Sequence, residues 1–200
     1  MAVLSMRARK RFWDVSLTAV TGSLAWLLQL TVLNNFVFQG AICNLPLTLT
    51  IVWGSVFGST MPEIGPEELR LSSSAEIFVH QLLSGSRSGA LFGAFIGALY
   101  ASVLPVYPLC FPLIGWITGY FCLRSLNQET LICIPLTLLA TVAAELIMAV
   151  QLGSIGRPDV FAHLAHMALP EALLNAIIAP FVYFPMRRYY DSVATEPAST

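Results

Sequence analysis

The chain has 200 residues, 56% of them hydrophobic and only 10% charged, with a mean hydropathy of +0.75, a balance too apolar to coat a soluble domain. Lys and Arg number 10 and Asp and Glu 11, for a net charge of -1, so there is no basic field to hold nucleic acid. This composition points to an all-α, polytopic membrane protein and away from a soluble enzyme.

A bilayer-crossing helix needs about 20 mainly apolar residues. The chain offers about six such runs, starting near Val15, Leu45, Gly89, Pro108, Leu131 and Ala168. The first follows a basic segment, residues 1–14, that carries Arg7, Arg9, Lys10 and Arg11. Such a start resembles a signal peptide. Val15 to Phe38 is nevertheless too long for a secretory apolar region, lacks a small-residue cleavage site and precedes further apolar runs, so a retained span is expected. The second run, Leu45 to Ser59, is short and contains Trp53, Gly54 and Gly58. Residues 61–88 then form a polar loop that cannot lie in hydrocarbon. Within it Ile77, Phe78, Leu82 and Leu83 have helical spacing, which fits either a short helix along the membrane surface or a mobile loop. The six runs define one transmembrane domain over residues 15–190, and the polar tail 191–200 is expected to be disordered.

The basic residues test the number of crossings. With six, Arg7, Arg9, Lys10, Arg11, Arg70, Arg87, Arg124, Arg187 and Arg188 fall on one face and only Arg157 on the other. An odd number would move a block of these arginines across. The positive-inside rule therefore favours the even count, with both termini in the cytoplasm.

Several residues stand out from the apolar background. Gly89, Gly93, Gly97 and Ala101 recur every four residues in the third run and make a smooth helical stripe. Such a stripe lets helices approach closely, whether within the bundle or against a partner's span. Glu145 lies inside the fifth run, where a carboxylate must face the interior, pair with a donor or take up a proton; a functional role and a buried hydrogen bond to Asn175 or Thr141 both fit. Pro170 is expected to open the sixth run, with Glu171 in its first turn, where the helix dipole favours an acid, and Asn175 one turn deeper on the same face. Pro180 should bend that helix and free a carbonyl deep in the bundle.

His163 and His166, with Asp159 and Glu171 nearby, can be drawn as a metal site, but no third ligand is fixed and no metal is expected. Cys43, Cys110, Cys122 and Cys133 lack the paired spacing of a zinc or redox motif and are expected to be small packing residues. No Ser/His/Asp set, glycine-rich phosphate loop or paired carboxylates sit together within the spans, so no catalytic site or cofactor is expected.

From Arg87 to Arg188 the order of features resembles the rod shape-determining protein MreD family. The glycine-rich stretch Gly89-Ala90-Leu91-Phe92-Gly93-Ala94-Phe95-Ile96-Gly97-Ala98-Leu99 leads through Pro105-Val106-Tyr107-Pro108 to Gly119-Tyr120. An acid, Glu145, follows in the fifth span. The closing motif is Leu169-Pro170-Glu171-Ala172-Leu173-Leu174-Asn175-Ala176-Ile177-Ile178-Ala179-Pro180, and then the basic pair Arg187-Arg188. The Tyr107-Pro108 turn is most similar to cyanobacterial members. Two features depart from the family pattern: Ala101 stands where many members have an aspartate, and the polar loop 61–88 is longer. The resemblance implies a non-enzymatic inner-membrane component of the cell-elongation machinery that binds MreC and, through it, MreB, RodA and a class B penicillin-binding protein. It also implies a fold similar to the substrate-binding S-component of energy-coupling-factor vitamin transporters, which supplies an alternative function.

Overall fold

The computed structural model describes residues 2–38, 40–58, 87–104, 106–121, 132–156 and 159–194. Among the described residues there are six α-helices: α1 (Ala2–Thr31), α2 (Leu45–Phe57), α3 (Arg87–Tyr100), α4 (Cys110–Phe121), α5 (Cys133–Ser154) and α6 (Asp159–Ala194). One described helix thus coincides with each expected apolar run. The expected surface helix in residues 75–83 lies outside the described residues, as do Arg70, Cys122, Arg124 and Arg157.

α1 includes Arg9, Lys10 and Arg11 within its helical backbone, so the basic segment continues the first span. The apolar run extends to Phe38, but the helix stops at Thr31 and gives way to a 3-10 turn at Leu33–Asn35. The stop is chemical. β-branched Thr31 and Val32 meet two asparagines whose short amides compete for backbone groups, and Asn35 Nδ2 donates to the Thr31 carbonyl at 3.0 Å. A small antiparallel hairpin follows, β1 (Val37–Phe38) and β2 (Ala41–Ile42), pairing Val37 with Ile42 and Phe38 with Ala41. Gly40, at φ 87, supplies the left-handed turn residue that so short a loop requires.

α2 is the centre of the molecule. Every residue from Pro46 to Val56 is buried, as expected for a helix that is apolar on all sides. Leu47, Ile51 and Trp53 of α2 pack with Phe92 and Ile96 of α3, Phe111 and Ile114 of α4, and Ala140 and Ala144 of α5. Val52 and Val56 pack with Cys133, Ala179 and Tyr183. Its hydroxyls turn back onto its own carbonyls, Thr48 to Asn44 at 3.0 Å and Thr50 to Pro46 at 2.8 Å.

The outer helices display a membrane protein's inverted economy of size. On α6, Ala168, Ala172, Ala176 and Ala179 are buried, whereas Leu169, Leu173, Ile177, Phe181 and Phe184 are exposed, Phe181 by 75%. Small residues face the bundle and large apolar ones face outward, which suits a lipid surround and not water. Three of the described helices contain stretches long and apolar enough to cross a bilayer: Ser16–Asn35, Cys133–Ser154 and His166–Ser192. α2 and α4 are shorter apolar helices of 13 and 12 residues, about 20 Å or less at 1.5 Å per residue. The protein is an all-α, polytopic membrane protein.

Contacts between helix termini show that the helices alternate in direction. At one end Trp53 Nε1 donates to Ser88 Oγ at 3.2 Å, Phe57 meets Tyr190 edge-on at 5.8 Å, and Gly58 approaches Gly119. Arg87 at the start of α3 and Arg187 and Arg188 near the end of α6 belong to this basic end. The opposite end carries the hairpin, whose Gly40 rests against Met167. There too, Gln151 Nε2 donates to the Tyr107 carbonyl at 3.2 Å, and its Oε1 accepts from the Leu109 N–H at 3.0 Å.

α6 corrects two expectations. It starts at Asp159, so Pro170 lies inside the helix together with Pro180 and Pro185, and Glu171 is not in a first turn. Proline often opens helices in water, but a bundle that meets the freed carbonyls elsewhere tolerates it mid-helix. The helix also runs on to Ala194, so Asp191, expected in a disordered tail, is helical and pairs with Arg187 at 3.1 Å.

Candidate functional site

The polar chemistry of the bundle gathers where α2 begins. The first backbone N–H groups of a helix have no partner within it, and at membrane depth water cannot supply one. Here the protein supplies them. Asn44 caps α2, its Oδ1 accepting from the Leu47 N–H at 3.2 Å. Pro46 has no N–H to satisfy. The Leu45 N–H goes to Gln29 Oε1 of α1 at 2.9 Å, while Gln29 Nε2 donates to Asn34 Oδ1 at 3.0 Å.

Asn175, wholly buried on α6, completes this junction. Its Oδ1 accepts from the Asn44 N–H at 2.8 Å and from the Cys43 thiol at 3.3 Å. Its Nδ2 donates to Thr141 Oγ1 of α5 at 3.3 Å. One amide therefore ties α6 to the start of α2 and to α5. Thr141, weighed as a partner for Glu145, accepts this bond from Asn175.

Glu145 and Glu171, both half-buried, lie within electrostatic reach of each other. Glu171 also interacts with the Asn44 side chain, which places it near the α2 N-terminus. Cys43, Tyr100 and Cys110 are close enough to feel the Glu171 charge, and Cys110 also feels Glu145. Two carboxylates, two carboxamides, two thiols and a phenol from five elements therefore share one end of the bundle. Chemically, such a set can join helices and accept hydrogen bonds.

Cys43, in the link before α2, is 7% exposed, and burial followed by the Glu171 charge pushes its thiol up to about 11. It stays protonated at neutral pH and donates to Asn175. A variant keeping Cys43 as its only cysteine should resist maleimide in the folded state and react on denaturation; labelling at the rate of an exposed thiol would contradict the burial. Cys110 and Cys133 are also free and buried.

The small-residue stripe takes part in a second junction. A Cβ on Gly89 would overlap the Gly115 carbonyl and lie 2.9 Å from the Gly54 Cα. On Gly93 it would overlap the Phe111 carbonyl oxygen and lie 2.6 Å from its carbon. Gly97 faces the Tyr107 ring, at 2.9 Å from such a Cβ, and Tyr107 Oη donates to the Ala94 carbonyl at 3.0 Å. Ala101 is exposed and lies beyond the helix end at Tyr100. Three of the four stripe positions therefore bear on neighbours within the chain, and Gly54 and Gly115 meet Gly89 in a backbone-to-backbone joint of α2, α3 and α4.

The remaining candidates lie apart from these junctions. Pro170 and Pro180 are half-buried in α6. Arg187 sits 5.7 Å from the Tyr190 ring centroid, and Arg188 is exposed. His166 is exposed, and among the described residues no three His, Cys, Asp or Glu side chains form a group able to hold a metal ion. Gln29, Asn44 and Gln151 were missed at the level of sequence. An Asn one residue before Leu-Pro is a helix-start signal, and a Gln within an apolar run falls under the same rule that singled out Glu145.

No family model, curated protein or solved structure matches the chain.

Proposed function

We propose that the protein is a non-enzymatic component of the cell-elongation machinery of a bacterial inner membrane, a member of the MreD family with both termini in the cytoplasm. It holds MreC and, through it, MreB, RodA and a class B penicillin-binding protein. The supporting observation is the place of Asn175. This residue of the motif that carries the resemblance is the three-way tie between α6, α5 and the start of α2. A bundle whose interior amides are committed to its own helices offers apolar helix faces to its surroundings, and those are what a single-pass partner can use.

Glu145→Ala should lower the yield of folded protein or of its complex with MreC. Vigorous Glu145-dependent catalysis by the purified protein would sink this reading. Depletion in the native host should give rounded, swollen cells with normal vitamin uptake. The second reading, a vitamin-binding S-component, draws on the grouping of Glu145, Glu171 and Asn44, since polar groups within an apolar bundle can orient a small polar ligand. Rod-shaped cells with lost vitamin uptake would decide for it.

A further inference from the structure

α4 and α5 part over the half of their length nearer the basic end and leave a lateral cleft of about 400 Å³ between them. Its floor is Ile114, Thr118 and Ala140, all buried, and its rim is Ile117, Pro135 and Leu139, all exposed. The hydroxyl of Thr118 donates to the Ile114 carbonyl of its own helix at 2.8 Å, and Pro135 has no N–H. Nothing in the lining is left to hold a polar ligand, and apolar cavities do not retain water.

We propose that this cleft binds one acyl chain of an anionic phospholipid from the leaflet that meets the basic end. Three observations select this occupant. The cleft is bordered by two apolar helices of a membrane protein, so the medium at its mouth is hydrocarbon. Its rim is bulky and branched, whereas a docking helix about 10–12 Å across needs a smooth small-residue face, and the glycines of α3 already have neighbours within the chain. A flexible chain follows an irregular slot that a helix cannot enter. Finally, Arg87 and Arg188 lie, with the Arg187–Asp191 pair, at the end toward which the cleft runs, and the net positive charge there favours an anionic headgroup.

The test uses the full chain in nanodiscs containing phosphatidylglycerol with a photoreactive group on one acyl chain, followed by peptide mapping. Label should concentrate on Ile117, Leu139 and Ala143 over the plain lipid-facing residues Leu173 and Ile177 of α6. It should fall to the α6 level in Ala143→Phe, which fills the slot. The same probe with a phosphatidylcholine headgroup should label the cleft roughly fivefold less, the factor expected from one arginine's attraction. Equal labelling of the cleft and of α6 in the unaltered protein, a readout that does not depend on the variant folding, overturns the proposal. So does protection of the cleft by a partner's span. Equal labelling by the two headgroups overturns the anionic assignment.

Discussion

Gly93→Leu should abolish most of the folded protein, and Gly97→Leu should not. Both substitutions add the same side chain four residues apart on α3, and the stripe alone makes them equivalent. Their neighbours differ. At Gly93 the new carbon meets the backbone of Phe111 and Pro112, whereas at Gly97 it meets the outer atoms of the Tyr107 ring. Backbone yields only if α3 and α4 separate as bodies, while a ring can turn aside. Overpacking costs about 1–3 kcal/mol where side chains can shift and more where they cannot, so Gly93→Leu is expected to cost about 3 kcal/mol or more and Gly97→Leu about 1 kcal/mol. Ala101→Leu, beyond the helix and exposed, should be silent. Unfolding in mild detergent reads the three in one assay, and equal losses at positions 93 and 97 would remove the distinction.

The second large effect is expected at Asn175. Replacement by Leu keeps the approximate volume but leaves the Asn44 N–H, the Cys43 thiol and the Thr141 hydroxyl without this partner. A hydrogen bond in a membrane protein averages about 0.6 kcal/mol, but a buried group left unsatisfied costs about 1–3 kcal/mol. The expected loss is therefore roughly 2–4 kcal/mol, a large share of a typical stability. Asn175→Asp separates hydrogen bonding from charge. It keeps the oxygen for Asn44 and Cys43, loses the donor to Thr141, and brings a third carboxylate near Glu145 and Glu171. Adding Glu171→Gln should recover part of the stability lost in Asn175→Asp and none of that lost in Asn175→Leu, a coupling that a double-mutant cycle measures. Equal effects of Glu171→Gln in the two backgrounds would show that Asn175 and Glu171 do not share an environment.

Much of this architecture was legible in the chain, because lipid demands long apolar runs and their interruptions are conspicuous. The starts at Leu45, Gly89, Pro108 and Leu131 fall within two residues of the helices found. What the runs concealed was rank. α2 is a short run, yet it is central, and the clue was its apolarity on every side and not its length. The hairpin was hidden inside an apolar run as well, although Phe36-Val37-Phe38-Gln39-Gly40-Ala41-Ile42 carries β-branched and aromatic residues around a glycine turn. Pro170 misled because a rule learned in water was carried into a bundle. Of the candidate site, Asn175 and Glu171 could be named in advance, but their partners Cys43 and Asn44 lie 131 or more residues away from Asn175, and no local pattern links them.

That separation bears on how the protein is made. α2 is shorter than the thickness of the hydrocarbon core and carries Thr48, Thr50 and Ser55 in its interior. Alone it has a weak claim to a place in the bilayer. The amide that fastens its capping residue, Asn44, lies 131 residues further along the chain. The heart of the molecule is therefore provisional during synthesis, and settles only when α6 arrives to fasten it.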